Sequence, residues 1–156
     1  MASLSVPASL SGGTDPLVRL VETLESSPAM YLADSGLASY PGAAELRVAL
    51  GTLVAEQRDV LARAANVIAD RELPLPQAAF PIAFTAWHDV DLRHLVPRVI
   101  ESLKRQAAEF TTLAGAGGDA AAGDLAGRAR EIADRHAEQL AGLLMRLRAG
   151  LAGRPA

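Results

Sequence analysis

The chain has 156 residues, half of them apolar but only 4% aromatic, with 15 basic and 18 acidic side chains and no cysteine. That length suits one domain whose core needs no disulfides, and the apolar fraction excludes wholesale disorder. The missing thiols exclude disulfide, thiolate and Cys-held zinc or iron-sulfur chemistry, and a formal charge of -3 supplies no concentrated positive surface for nucleic acid.

The apolar residues are chiefly alanine and leucine, which lose least on entering a helix, so the fold class read from composition is all-α. Residues 1–13, rich in Ser, Gly, Ala and Pro, are expected to form a flexible N-terminal arm. They lack the positive n-region and compact apolar stretch of a secretory signal, and no run approaches the ~20 apolar residues that cross a bilayer. A cytoplasmic protein with no membrane partner is the expectation.

The ordered domain is expected over residues 14–148. A short first helix starts with Thr14 as a cap and Pro16 in an early position, carries Leu17, Leu20, Val21 and Leu24 on one stripe, and stops at Ser26 and Ser27 before Pro28. The connection PAMYLADSGLASYPG holds at most one helical turn, around Met30 to Ala33. Its Met30, Tyr31, Leu32, Leu37 and Tyr40 are too apolar for a solvated linker and are expected to lie across the bundle or meet a second subunit.

A second helix is predicted over Ala43 to Arg71, with Leu46, Leu50, Leu53, Val54, Leu61, Ala64 and Ile68 at helical spacing. Pro74 and Pro76 end it. A third helix is predicted from between Gln77 and Pro81 to Leu113. Pro97 lies inside it, which implies either a kink near Arg93 and His94 or two helices meeting there; retained apolar phase from Leu92 to Leu103 favours the kink. After AGAGGDAAAGD, with Asp119 or Asp124 as cap, a fourth helix runs from Leu125 to Leu147, and residues 149–156 form a flexible tail. Arg146, Arg148 and Arg154 suit the negative end of that helix rather than a phosphate surface. The architecture expected is an antiparallel four-helix bundle with a short first helix and a Pro-kinked third.

No Walker loop, GxGxxG fingerprint, GxSxG elbow or HExxH occurs. Helical phase places His88 and His136 inward and His94 outward. Laying the third and fourth helices antiparallel separates His88 from His136 by ~20 Å, too far for one metal. Folding the second and third helices about the Pro74 and Pro76 turn instead brings His88 and Asp91 near Glu56. Glu56, His88 and Asp91, with His94 as a fourth group, thus form the candidate metal set, suited to iron, manganese or zinc. The same residues also read as a buried hydrogen-bond network that fixes helix register. Asp91 and His94, three apart, also fit a surface pair, and Trp87 marks either a core edge or a pocket.

The segment LVAEQRDVLARAANVIADRELPLPQAAFPIAFTAWHDVDLRHLVPRVIESLKRQ and the phasing around it resemble small bacterial bundle proteins of ferritin-like architecture over residues 14–148. Di-iron members of that group carry two Glu ligands and two ExxH motifs. This chain has no ExxH: Glu56 matches a Glu ligand, Asp91 with His94 an altered motif, and Glu131 and His136 stand five apart. The resemblance therefore implies architecture rather than ferroxidase chemistry.

The function expected is a non-enzymatic helical interaction or assembly module without a cofactor, self-associating as a dimer. The alternative is a divergent ferritin-like metal-binding protein or metal-dependent enzyme. A third reading is a small-molecule binding domain with an apolar cavity near Trp87.

Overall fold

The computed structural model describes residues 15–152, and within them every regular element is helical. The expected N-terminal arm, the Thr14 cap and the last four residues lie outside the described residues.

Helix α1 (Pro16–Glu25) is capped by Asp15, whose carboxylate accepts from the Leu17 amide at 2.8 Å, with Pro16 in the first turn. It buries the stripe Leu17, Leu20, Val21 and Leu24. Ser27 then caps α2 (Pro28–Asp34), which is longer than the single turn expected of this connection. A 3-10 turn at Leu37–Ser39 follows. The apolar connection lies against the core as expected: Met30, Leu32 and Tyr40 are buried, and Tyr31 and Leu37 pack at its margin.

Helix α3 (Ala44–Asp70) buries Leu46, Leu50, Leu53, Val54, Val60, Ala64 and Ile68. Its end is set before the prolines are reached. Glu72 takes a left-handed conformation (φ 57°), so the Glu72 and Leu73 amides turn back to the carbonyls of Ala69 and Ile68. That double closure is the Schellman pattern.

The next stretch departs from expectation. No continuous helix runs from Pro81: a 3-10 segment covers Ile82–Trp87, Asp89 is left-handed (φ 66°), and α4 (Leu92–Gly115) begins only after Asp91, whose carboxylate caps the Arg93 amide at 2.8 Å. Pro97 lies in the second turn of α4. Prolines 74, 76 and 81 deny the segment the amide donors that a helix needs. It serves instead as a long crossover.

That crossover changes the direction expected of α4. The Leu92 amide donates to the Pro41 carbonyl at 2.8 Å, at the start of α3, and Gln57 in mid-α3 meets Gln106 in mid-α4. The two helices therefore run parallel, not antiparallel across the Pro74 turn. Helix α5 (Ala120–Ala152) follows a glycine turn and runs back along α4, its most extensive partner, and along α3. It is longer at both ends than its apolar stripe implied, because Asp119 caps it ahead of Gly123 and it continues past Leu147 to Ala152.

One core joins α1, α3, α4 and α5, with Phe110, Leu50, Leu92 and Leu140 fully enclosed. None of the described helices is long and apolar enough to cross a membrane.

Candidate functional site

The four expected metal donors do not converge. Glu56 projects from the middle of α3 toward α5. Its Oε2 pairs with Nε2 of His136, and its Oε1 accepts from Arg135 Nη2 at 2.8 Å. The His136 bond, with further help from Arg135, holds the Glu56 carboxyl below the ordinary range despite some opposing desolvation. His136 is only 3% exposed while Glu56 is about a third exposed and borders an open surface pocket with Arg135, so the pair ties α3 to α5 with its imidazole side enclosed.

His88, expected inside, is exposed. Its Nε2 stands 3.3 Å from the Tyr31 hydroxyl, because the helix that was to turn it inward is replaced by the 3-10 segment and the Asp89 break. Asp91 is the cap of α4 and is held also by Arg93 Nε at 3.3 Å. It lies beside Gly42, at the start of α3, with Glu56 nearly four turns farther along that helix. His94 is exposed, as its phase implied. Among the described residues no three His, Asp or Glu side chains are grouped to hold a metal.

What sequence reasoning missed is the partner of Glu56. Helical phase places His136 inward, where it lies, but folding about Pro74 and Pro76 brings Glu56 to the third helix and not to α5. The parallel crossover instead leaves the antiparallel α3 and α5 side by side at this level. Gln57, the neighbour of Glu56, is also buried; its amide reaches Gln106 Oε1 at 3.5 Å and its own Oε1 has no partner among the described residues.

The second feature is a concentration of aromatic rings. Tyr31, Phe80, Phe84 and Trp87 gather where α2 meets the crossover, with Phe84 stacked on Trp87 at a centroid distance of 4.1 Å and Tyr31 edge-on to Phe80 and Trp87. Phe84 and Trp87 border a groove of about 540 Å³ between the end of α1, the crossover and α4. Trp87 is itself 8% exposed, so it serves both as core edge and as groove wall.

No known protein family, curated protein or solved structure matches the chain.

Proposed function

We propose that this chain is a non-enzymatic helical interaction module that pairs with a second copy of itself as a cytoplasmic homodimer, without a nucleic-acid partner. The observation that carries the reading is the crossover. From Leu73 to Trp87 fifteen consecutive residues bear no charge, and Leu75 and Ile82 within it are 55% and 86% exposed. Apolar surface of this kind, depleted of charge, is what the centre of a subunit interface requires. Prolines 74, 76 and 81 restrict the segment before it docks, which lowers the entropy lost on association. The aromatic cluster beneath gives it a firm backing.

In this reading α1, α3, α4 and α5 are the four-helix bundle that holds the face in place, with Pro97 bending α4. The ferritin-like resemblance describes that framework. The alternative, a site for iron, manganese or zinc in a metal-binding protein or metal-dependent enzyme, has its four donors dispersed over the start of α4, the middle of α3 and the crossover.

Sedimentation velocity tests the proposal. The expected result is a dimer that Leu75→Glu together with Ile82→Glu converts to a monomer while far-UV circular dichroism stays unchanged. A wild-type monomer throughout roughly 1–100 µM, or a dimer indifferent to both charges, overturns it.

A further inference from the structure

The groove beside Trp87 combines an aromatic wall with polar and charged side chains of α4. Its wall is the stacked Phe84 and Trp87 pair. Its floor is polar yet buried: Ser102 and Gln106 are 7% and 4% exposed and lie one turn apart on the same face of α4. Gln106 Oε1 already takes the Gln57 amide, which leaves the Gln106 amino group to serve the groove. The Ser102 hydroxyl has no hydrogen-bond partner among the described residues. The Ser102 side chain is largely enclosed, yet its hydroxyl keeps access to the groove, where it can bond a polar ligand atom in place of water.

The charges around that hydroxyl select the ligand. Arg98 stands one turn before Ser102 on α4 and Arg105 just under one turn after it, so all three share one face of the helix and line the groove together. Two carboxylates also line the groove. Glu109 is engaged by Arg19 Nε at 2.8 Å, and Glu101 faces Arg105 at 3.8 Å. Arg98 has no ion-pair partner among the described residues. The uncompensated charge is therefore positive and lies next to the unpartnered hydroxyl.

We propose that this groove binds a small aromatic carboxylate, its ring against Phe84 and Trp87 and its carboxylate over Ser102 between Arg98 and Arg105. The aromatic wall supplies apolar and ring contacts. The guanidinium groups and the serine hydroxyl donate to the two carboxylate oxygens, a charge-assisted arrangement stronger than its neutral counterpart. This reading concerns a ligand and does not rest on the subunit contact proposed above, with which the groove shares Pro81, Phe84 and Trp87 but neither Leu75 nor Ile82.

Titration calorimetry with 2-naphthoate and with the uncharged 2-naphthamide tests it, with the emission of Trp87, the chain's single tryptophan, as a second readout. One naphthoate is expected to bind per chain, roughly tenfold more tightly than the amide, and to shift Trp87 emission. Arg98→Gln is expected to bring naphthoate down to the affinity of the amide while leaving the amide unchanged. Arg98 is exposed, so that variant keeps its fold. Arg130→Gln, on the far helix, is expected to change nothing. No heat and no emission change up to about 1 mM naphthoate, equal affinity for the two probes, or indifference to Arg98→Gln each overturns the proposal.

Discussion

Glu56 and His136, eighty residues apart in sequence, form a polar contact between α3 and α5, with the imidazole enclosed and the carboxylate also held by Arg135. Replacing Glu56 by Ala leaves a buried imidazole without its partner, which costs about 1–3 kcal/mol. The pH dependence has a definite sign. Because Glu56 titrates below its ordinary value of 4.5 in the folded chain, the pair's contribution is fully present above that value and is lost as pH falls through the lowered folded pKa. Urea unfolding of wild type and Glu56→Gln is expected to show a gap at pH 7 that narrows below pH ~4.5. A gap of constant size across that range removes the ion pair as its cause.

The turn between α4 and α5 is held by a second charged pair. Nη1 and Nη2 of Arg71, at the end of α3, donate to the two oxygens of Asp119 at 2.7 and 2.8 Å, and Asp119 also caps the Ala122 amide at 3.1 Å. The Arg71 bond, followed by the helix-end amides, draws the Asp119 carboxyl down to about 2. Losing the cap in Asp119→Ala is expected to cost about 1 kcal/mol. Asp119→Asn keeps an oxygen for the cap but loses the charge, so it separates the two roles in one comparison. For the wild type the charge contribution is present above 3.8 and lost as pH falls toward 2.

These two pairs show what was legible in the sequence. The stripes of α1, α3 and α5 could be read from spacing because burial of leucine and alanine on one face dictates them. Asp119 was visible as a cap candidate because its position before the alanine run is local information. The partner of Glu56 was not, because it depends on the direction in which α4 returns. Proline spacing signals where a helix stops, not how far the following chain travels. The same error displaced His88: its helical phase with Leu92 has no meaning once Asp89 breaks the helix. Trp87 as the edge of a groove was within reach, since a lone tryptophan in an uncharged stretch marks either role.

The separation of the expected donors has its own consequence. With Glu56 committed to His136 and Arg135, Asp91 to the cap of α4, and His88 and His94 on exposed surface, no first coordination sphere forms from these four. Elemental mass spectrometry on protein purified without a chelating tag is expected to find less than about a tenth of an equivalent of iron, manganese or zinc per chain, before and after incubation with those metals. Near-stoichiometric metal that disappears in Glu56→Ala or His88→Ala contradicts that expectation and restores the metal reading.

Pro41 and Gly42 read in sequence as simple punctuation, yet the parallel course of α3 and α4 converges on them. Gly42 has φ 142°, and a Cβ built there meets Leu92 Cβ at 2.9 Å, with Asp91 Oδ1 and the Leu92 amide nitrogen at 3.2 Å. The same amide is bonded to the Pro41 carbonyl, so the start of α4 cannot retreat without breaking that bond. A side chain at position 42 is thus opposed twice, by backbone conformation and by contact. Gly42→Ala is expected to destabilise the chain by about 1–3 kcal/mol, measured by urea unfolding. Gly51→Ala, at a helical site with nothing within 4 Å of the added Cβ, is expected to stabilise by about 0.5–1 kcal/mol. If both variants change stability by the same amount in the same direction, the close approach of the crossover's end to the start of α3 is not what requires glycine at position 42.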